Sequence, residues 1–217
     1  MSSRYAQAQQ QGRDALRRAI LDAAGEILID EGPRALTMRG IAAAVGCSTS
    51  VLYTMFGRKD GLANALYREG FDRLRRQMEE AAASVAGSDD PMALHVALGR
   101  AYRAAALAAP NYYRVMFMGA IPGFAPGPEA MAVADESLGV LIEAVREGME
   151  AGVLRPGDPE AVADLLWAAA HGVVSLELAG HFRDPDIADD RYRMLAWAAL
   201  APFLADPPAG EWETAPS

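Results

Sequence analysis

The chain has 217 residues, 52% of them hydrophobic and 23% charged, enough to bury a core in one large domain or two small ones and too apolar for a disordered chain. Its single cysteine, Cys47, excludes an intrachain disulfide framework and a cysteine zinc cluster. The net charge of −9 is unevenly spread, with 12 Lys+Arg against 10 Asp+Glu in residues 1–80 and 8 against 19 in the rest; an acidic body of this kind can still offer a locally basic face to an anionic partner.

No secretory signal is expected, because Gln7, Gln9, Gln10, Gln11 and Arg13 occupy the place of an apolar core. Leu16, Ile20, Ala23, Ile27 and Leu28 recur at helical spacing, and Gly32-Pro33 ends that helix. Two short helices are predicted within Thr37–Leu62. A longer one follows Gly61 on Leu62, Leu66, Leu74 and Met78, and the loop Ala86 to Pro91 closes it. Further helical stripes are Leu94, Leu98, Ala101 and Tyr102, then Leu138, Leu141, Ile142, Val145 and Met149; between them residues 119–129 carry enough Gly and Pro to be irregular. Asp158-Pro159 reads as an N-cap and first-turn proline of a helix running through Trp167 and Val174 towards Phe182. A last helix is predicted over about Ile187 to Leu204. The longest apolar run, Met194 to Ala205, is shorter than the ~18 residues a membrane span requires and contains Pro202. No period-2 alternation is found, so the fold class predicted is all-α: a three-helix head over 1–60, an antiparallel helical bundle over 61–206 and a disordered tail over 207–217.

The stretch Thr37 to Leu62, TMRGIAAAVGCSTSVLYTMFGRKDGL, carries the functional signal. Thr37 can cap a first helix with Ile41, Ala42 and Val45 inward, Gly46 can end it, and Ser48 can cap a second helix anchored by Leu52 and Phe56. Two short helices joined by a tight glycine-containing turn form a helix-turn-helix. Thr37, Ile41 and Ala42, then Leu52, Tyr53 and Phe56, followed by Lys59, Asp60 and Leu62, resemble the DNA-binding head of the TetR family of transcriptional regulators. Trp167, His171-Gly172 and Gly180-His181-Phe182 resemble the C-terminal text of one subgroup of that family. Ser50 departs from the Gly or Pro usual there, and Met55 from the usual His.

The residue types suit a duplex partner. Thr37, Ser48 and the helix N-terminal N–H groups fit phosphate oxygens, and the resemblance implies that Tyr53 and Lys59 grip the backbone as well. Arg39, Thr49, Ser50 and Thr54 are predicted to face outward towards base edges. Taken singly, each of these is an ordinary cap, half-buried aromatic or solvated charge; their joint register is what points to DNA. One short recognition helix binds weakly, so a homodimer is expected on a palindromic operator, with two recognition helices about 34–36 Å apart. The dimer face is expected at Trp167, Ala170, Val174, Leu178, Leu195 and Ala199, with filling of the monomer's own core as the alternative. Tyr102, Arg103, Tyr113, Met116, Phe117, Leu138 and His171 are the candidates for a pocket that takes an apolar or amphipathic small-molecule effector, with core packing as the plainer alternative. Glu177 and His181, four apart, and His171 suggest a helix-surface hydrogen bond rather than a metal site; no metal or cofactor is expected. Cys47 reads as a small hydrophobe in the DNA-binding turn. The reading is a cytoplasmic repressor that meets no membrane. Its alternatives are an effector-independent regulator or activator and, more remotely, a helical enzyme, for which no nucleophile elbow, phosphate loop or HExxH is present.

Overall fold

The structure, a computed structural model, describes residues 4–182 and 184–206; the expected disordered tail, 207–217, lies outside them. In chain order the elements are α1 (Arg4–Asp30), α2 (Met38–Val45), α3 (Thr49–Phe56), α4 (Lys59–Ser84), α5 (Ala93–Ala108), α6 (Pro110–Phe117), α7 (Pro128–Glu150), α8 (Pro159–Leu178), α9 (Pro185–Leu200) and a short 3-10 turn, Ala201–Phe203. The described residues hold helices and loops, with one isolated bridge between Leu154 and Leu204. The fold is all-α, as predicted.

Packing groups these elements into two compact units, Met1–Phe71 with Asn111–Val133, and Asp72–Pro110 with Ala134–Ser217. The residues after 60 up to Phe71, and those from Asn111 to Val133, therefore pack with the expected head rather than with the body. Helix α4 contributes residues to both units.

In the first unit Ile20, Leu21, Ala24 and Leu28 of α1 are buried, as are Leu36, Ile41, Leu52, Leu62 and Leu66. Helix α1 extends eleven residues before Ala15, where the sequence carries no apolar stripe; Gln, Ala and Arg are good helix formers and propagate it on propensity alone. Helix α6 sits on α1. The Tyr112 hydroxyl donates to Asp22 Oδ1 at 2.8 Å, and Asn111 lies so close to Gly25 that a Cβ there would come within 2.3 Å of Nδ2.

In the second unit Val145, Leu154, Val162, Ala163, Leu200 and Leu204 form a buried cluster, flanked by Met92, Leu141, Trp197 and Phe203. Arg155 N donates to Phe203 O at 2.8 Å and Ala205 N to Val153 O at 3.0 Å, which fastens the end of the last helix to the α7–α8 loop. Asp158 caps α8 as predicted, accepting from Glu160 N at 3.0 Å. Helix α8 ends at Leu178 rather than running to Phe182. Gly180, with φ +77°, and the His181 N–H to Leu176 O bond of 3.0 Å close it, so His181 lies past the helix and does not share a face with Glu177.

Candidate nucleic-acid interface

The head is built from its caps outward. The Thr37 side chain accepts from Gly40 N at 3.1 Å and opens α2. At the other end Gly46 adopts φ +73°, its N–H reaching Ala43 O at 3.3 Å while Cys47 N reaches Ala42 O at 2.9 Å. This paired arrangement needs a left-handed residue and turns the chain sharply into α3. Ser48 holds the N-cap position of α3 but makes no capping hydrogen bond, contrary to the cap expected of it; its exposed hydroxyl points to no N–H of its own helix. Cys47 is half-buried in the turn.

Helix α3 has two faces. Leu52 and Phe56 are buried, and the Arg17 guanidinium lies over the Phe56 ring at 5.1 Å. Thr49, Ser50, Tyr53 and Thr54 are exposed, and at positions i, i+1, i+4 and i+5 they form one outward stripe. Tyr53 stands 54% exposed, a large aromatic held at the surface with its hydroxyl free to reach a phosphate. The Thr54 hydroxyl donates to Ser50 O at 2.9 Å, so it meets a partner chiefly as an acceptor. Arg39 is exposed on α2, and Lys59 Nζ lies 3.4 Å from Pro33 O, tying the start of α4 to the α1–α2 turn.

The charge of this segment is one-signed. From Gly32 to Lys59 the sequence has no Asp or Glu, and Arg34, Arg39, Arg58 and Lys59 are all exposed. The motif by itself does not single out Arg34 and Arg58; the acid-free run of 28 residues in a chain of net charge −9 is the signal that could have found them.

The candidate pocket residues divide between the units. Tyr113, Met116 and Phe117 lie in the first, where Phe117 contacts Tyr113 at 5.0 Å and Phe71 at 5.3 Å between ring centroids. Tyr102, Arg103, Leu138 and His171 lie in the second. There the Tyr102 hydroxyl is 3.2 Å from His171 Nδ1, the Trp167 ring is 5.9 Å from the imidazole, and burial pushes the His171 pKa down. Arg103 does not stand ready for a ligand: its Nε and Nη2 donate to Glu177 at 2.9 and 2.7 Å, and its Nη1 to Asp189 at 2.7 Å. The hydrogen bond to Glu177 is the main cause of its raised pKa. Glu177, weighed beside His181 as a metal ligand, is thus committed to Arg103, and among the described residues no group of three His, Cys, Asp or Glu is placed to hold a metal ion.

Of the residues expected at the dimer face on α8, Val174 belongs to the core instead. Val174 is fully buried in its own unit, and Trp167, Ala170 and Leu178 are half-buried. The exposed face is the opposite one: Ala161, Leu165, Ala168, Leu176 and Ala179, with half-buried Gly172 in line, at spacings of 4 and 3 residues. Alanine on every side of the helix hid its phase. Leu195 is exposed as expected and Ala199 half-buried. Helix α8 is also long and apolar enough, by length and composition, to cross a membrane, which the longest apolar run of the sequence did not suggest; 22% of its most apolar window is buried within the chain.

A helix-turn-helix with an outward polar stripe on a basic, acid-free segment defines a DNA-binding regulator. Comparison with known proteins agrees. Residues 20–66 match the model of bacterial regulatory proteins of the tetR family, and residues 95–199 that of the tetracyclin repressor-like C-terminal domain. An HTH-type transcriptional regulator of Mycobacterium tuberculosis is 26% identical over 223 residues, covering 87% of this chain and 94% of its own. A protein of unknown function from Rhodococcus sp. RHA1 superposes with a TM-score of 0.72 at 26% identity, over 87% of this chain and 95% of that one. A TetR family transcriptional regulator from Thermus thermophilus shares the fold, with a TM-score of 0.63 at 21% identity, over 82% and 96% of the two chains. The chain belongs to the TetR family: it is a DNA-binding transcriptional regulator, not an enzyme.

Proposed function

We propose that the chain is a homodimeric repressor that binds a palindromic operator and is released by a small apolar or amphipathic effector. The outward stripe of α3 carries this reading. Exposed Thr49, Ser50 and Thr54 offer hydroxyls, and exposed Arg39 a guanidinium, suited to base edges, while exposed Thr37, Ser48, Tyr53 and Lys59 are suited to phosphates. Arg34 and Arg58 add charge to the same backbone contact.

Dimerisation is supported by the exposed side of the α8–α9 pair. Leu165 is 57% and Leu176 46% exposed on α8, and Ile187, Met194 and Leu195 are exposed on α9. A row of large and small apolar residues at heptad-like spacing is costly to leave in water and suits the self-complementary face of a two-fold dimer. Acting on an operator, such a dimer works in the cytoplasm, and the apolar row of α8 meets its twin rather than lipid. The effector reading is supported by the aromatic and methionine side chains of α6 and α7, which repack readily. An effector acts by preferring the head spacing that fits two half-sites less well.

The test is selection of sites from random duplex DNA by the full chain, followed by sedimentation of the complex. The expected result is a palindrome with half-sites one helical turn apart, bound by two protomers with steep salt dependence. Recovery of an asymmetric site, or of no site, overturns the reading; binding that activates a reporter instead of silencing it overturns the repressor assignment.

A further inference from the structure

We propose that the first unit holds a binding site for an aryl carboxylate, and that Phe124 of the chain itself occupies the place of the ligand's ring. The site stands on the geometry of α4; only its consequence, release of DNA, rests on the effector reading above.

Asn64, Tyr67, Arg68 and Phe71 lie at positions i, i+3, i+4 and i+7 and share one face of α4. The segment from Phe117 to Met131 covers this face. Gly127 N donates to Asn64 Oδ1 at 2.9 Å, the Phe124 ring meets Tyr67 at 6.0 Å, the Tyr67 hydroxyl donates to the Met131 sulfur at 3.7 Å, and Phe117 meets Phe71 edge-on at 5.3 Å. Tyr67 and Phe71 are themselves 4.9 Å apart, so the rings form a continuous aromatic shelf. Arg68 borders it. The Arg68 side chain is 42% exposed and its Nη1 forms a loose ion pair with Glu129 at 3.6 Å, a carboxylate 91% exposed; its Nε alone is buried and makes no hydrogen bond.

A buried donor without an acceptor is unfavourable, and charge-assisted partners are those a guanidinium binds most strongly. Phe124 supplies an aromatic ring to the shelf but nothing to the cation. It is half-buried and carried by a five-residue piece, Gly123 to Gly127, with a glycine at each end and Gly123 at φ +74°. A free ligand with an aromatic ring and a nearby carboxylate reproduces the ring contact and offers the acceptor that Nε lacks. Such a ligand displaces Phe124 and loosens the Asn64–Gly127 tether on the helix that begins directly after the recognition helix.

The test is calorimetric titration of the full chain with 3-phenylpropionate, beside 3-phenylpropanol and 3-cyclohexylpropionate, for the natural chain and for Arg68→Gln and Phe124→Ala. Circular dichroism checks that both variants fold. Removing the competing ring should tighten 3-phenylpropionate binding about two- to tenfold, the worth of one aromatic pair. Arg68→Gln should weaken it about tenfold or more, and the alcohol and the cyclohexyl acid should bind more weakly than the aryl acid. No binding to folded Phe124→Ala, or equal affinity in folded Arg68→Gln, overturns the site. Binding as described with unchanged operator affinity supports the site and counts against the effector reading; release of the operator by another compound with no aryl acid bound does the reverse.

Discussion

Arg103 joins α5 to α8 and α9 through two carboxylates of unequal burial, and their contrast can be measured. The Glu177 arm is two-pronged, and the Arg103 and Glu177 side chains are 15% and 11% exposed. The Asp189 arm is single, and the Asp189 side chain is 49% exposed and shared with Arg193 at 3.1 Å. Removing one partner of a buried pair strands the other and costs roughly 3–5 kcal/mol. A half-solvated pair contributes about 0–1 kcal/mol. Glu177→Gln keeps an acceptor, so about 3 kcal/mol is expected for it and about 1 kcal/mol or less for Asp189→Asn. In a protein of this size that corresponds to a Tm lowered by roughly 6–12 °C and at most about 4 °C, respectively. Thermal unfolding followed by circular dichroism, at one fixed protomer concentration because a dimer's Tm depends on it, provides the comparison. If Asp189→Asn proved as damaging as Glu177→Gln, burial would not be what makes this clamp strong.

Lys59→Ala should weaken binding to all duplexes and reduce the salt slope by about 0.9 for each phosphate the variant no longer touches; an unchanged slope removes Lys59 from the residues that grip the backbone. Arg39→Ala should cost roughly 1–3 kcal/mol at one base pair, read by competition among single-base operator variants, whereas uniform weakening marks Arg39 as a phosphate clamp. Leu165→Glu places two like charges across the proposed two-fold face and should yield monomers in sedimentation with weakened operator binding; a persistent dimer refutes that face. Burial lowers the folded pKa of His95, whose ring nitrogens make no hydrogen bond, below its ordinary value of about 6.5. The unfolded chain then takes up the proton first, so stability falls as pH drops below about 6.5, by at most ~1.4 kcal/mol per pH unit for this histidine. His95→Leu should flatten that decline in urea midpoints measured from pH 7.5 to 5, and an undiminished slope would show that His95 is not its source.

The head was the most legible part of the chain because its signals are local. Thr37 and Gly46 announce their caps within four residues, and Leu52 and Phe56 fix the phase of α3 so that Thr49, Ser50, Tyr53 and Thr54 fall outward. Ser48 shows the limit of such reasoning, since a cap residue in the right place need not make the bond. Helix α8 could not be phased from sequence: with Ala at 161, 163, 168, 169, 170 and 179, apolar residues lie all round it, and only tertiary packing decides that Val174 goes in and Leu165 out. Arg103 illustrates the same difficulty for charge. Its partners are 74 and 86 residues away, and no spacing rule reaches them. The attachment of Tyr112 to Asp22, 90 residues apart, was hidden for the same reason.

The acid-free segment from Gly32 to Lys59 belongs to a chain whose residues beyond 80 carry 19 acidic groups against 8 basic ones. Polyanionic DNA is therefore repelled by most of the molecule and attracted by a small part of it. Random collisions in other orientations are short-lived, so the time spent on arbitrary sequence is reduced while approach through the recognition helix is kept. Discrimination between operator and bulk genome then comes partly from the acidic remainder of the chain, which never touches a base.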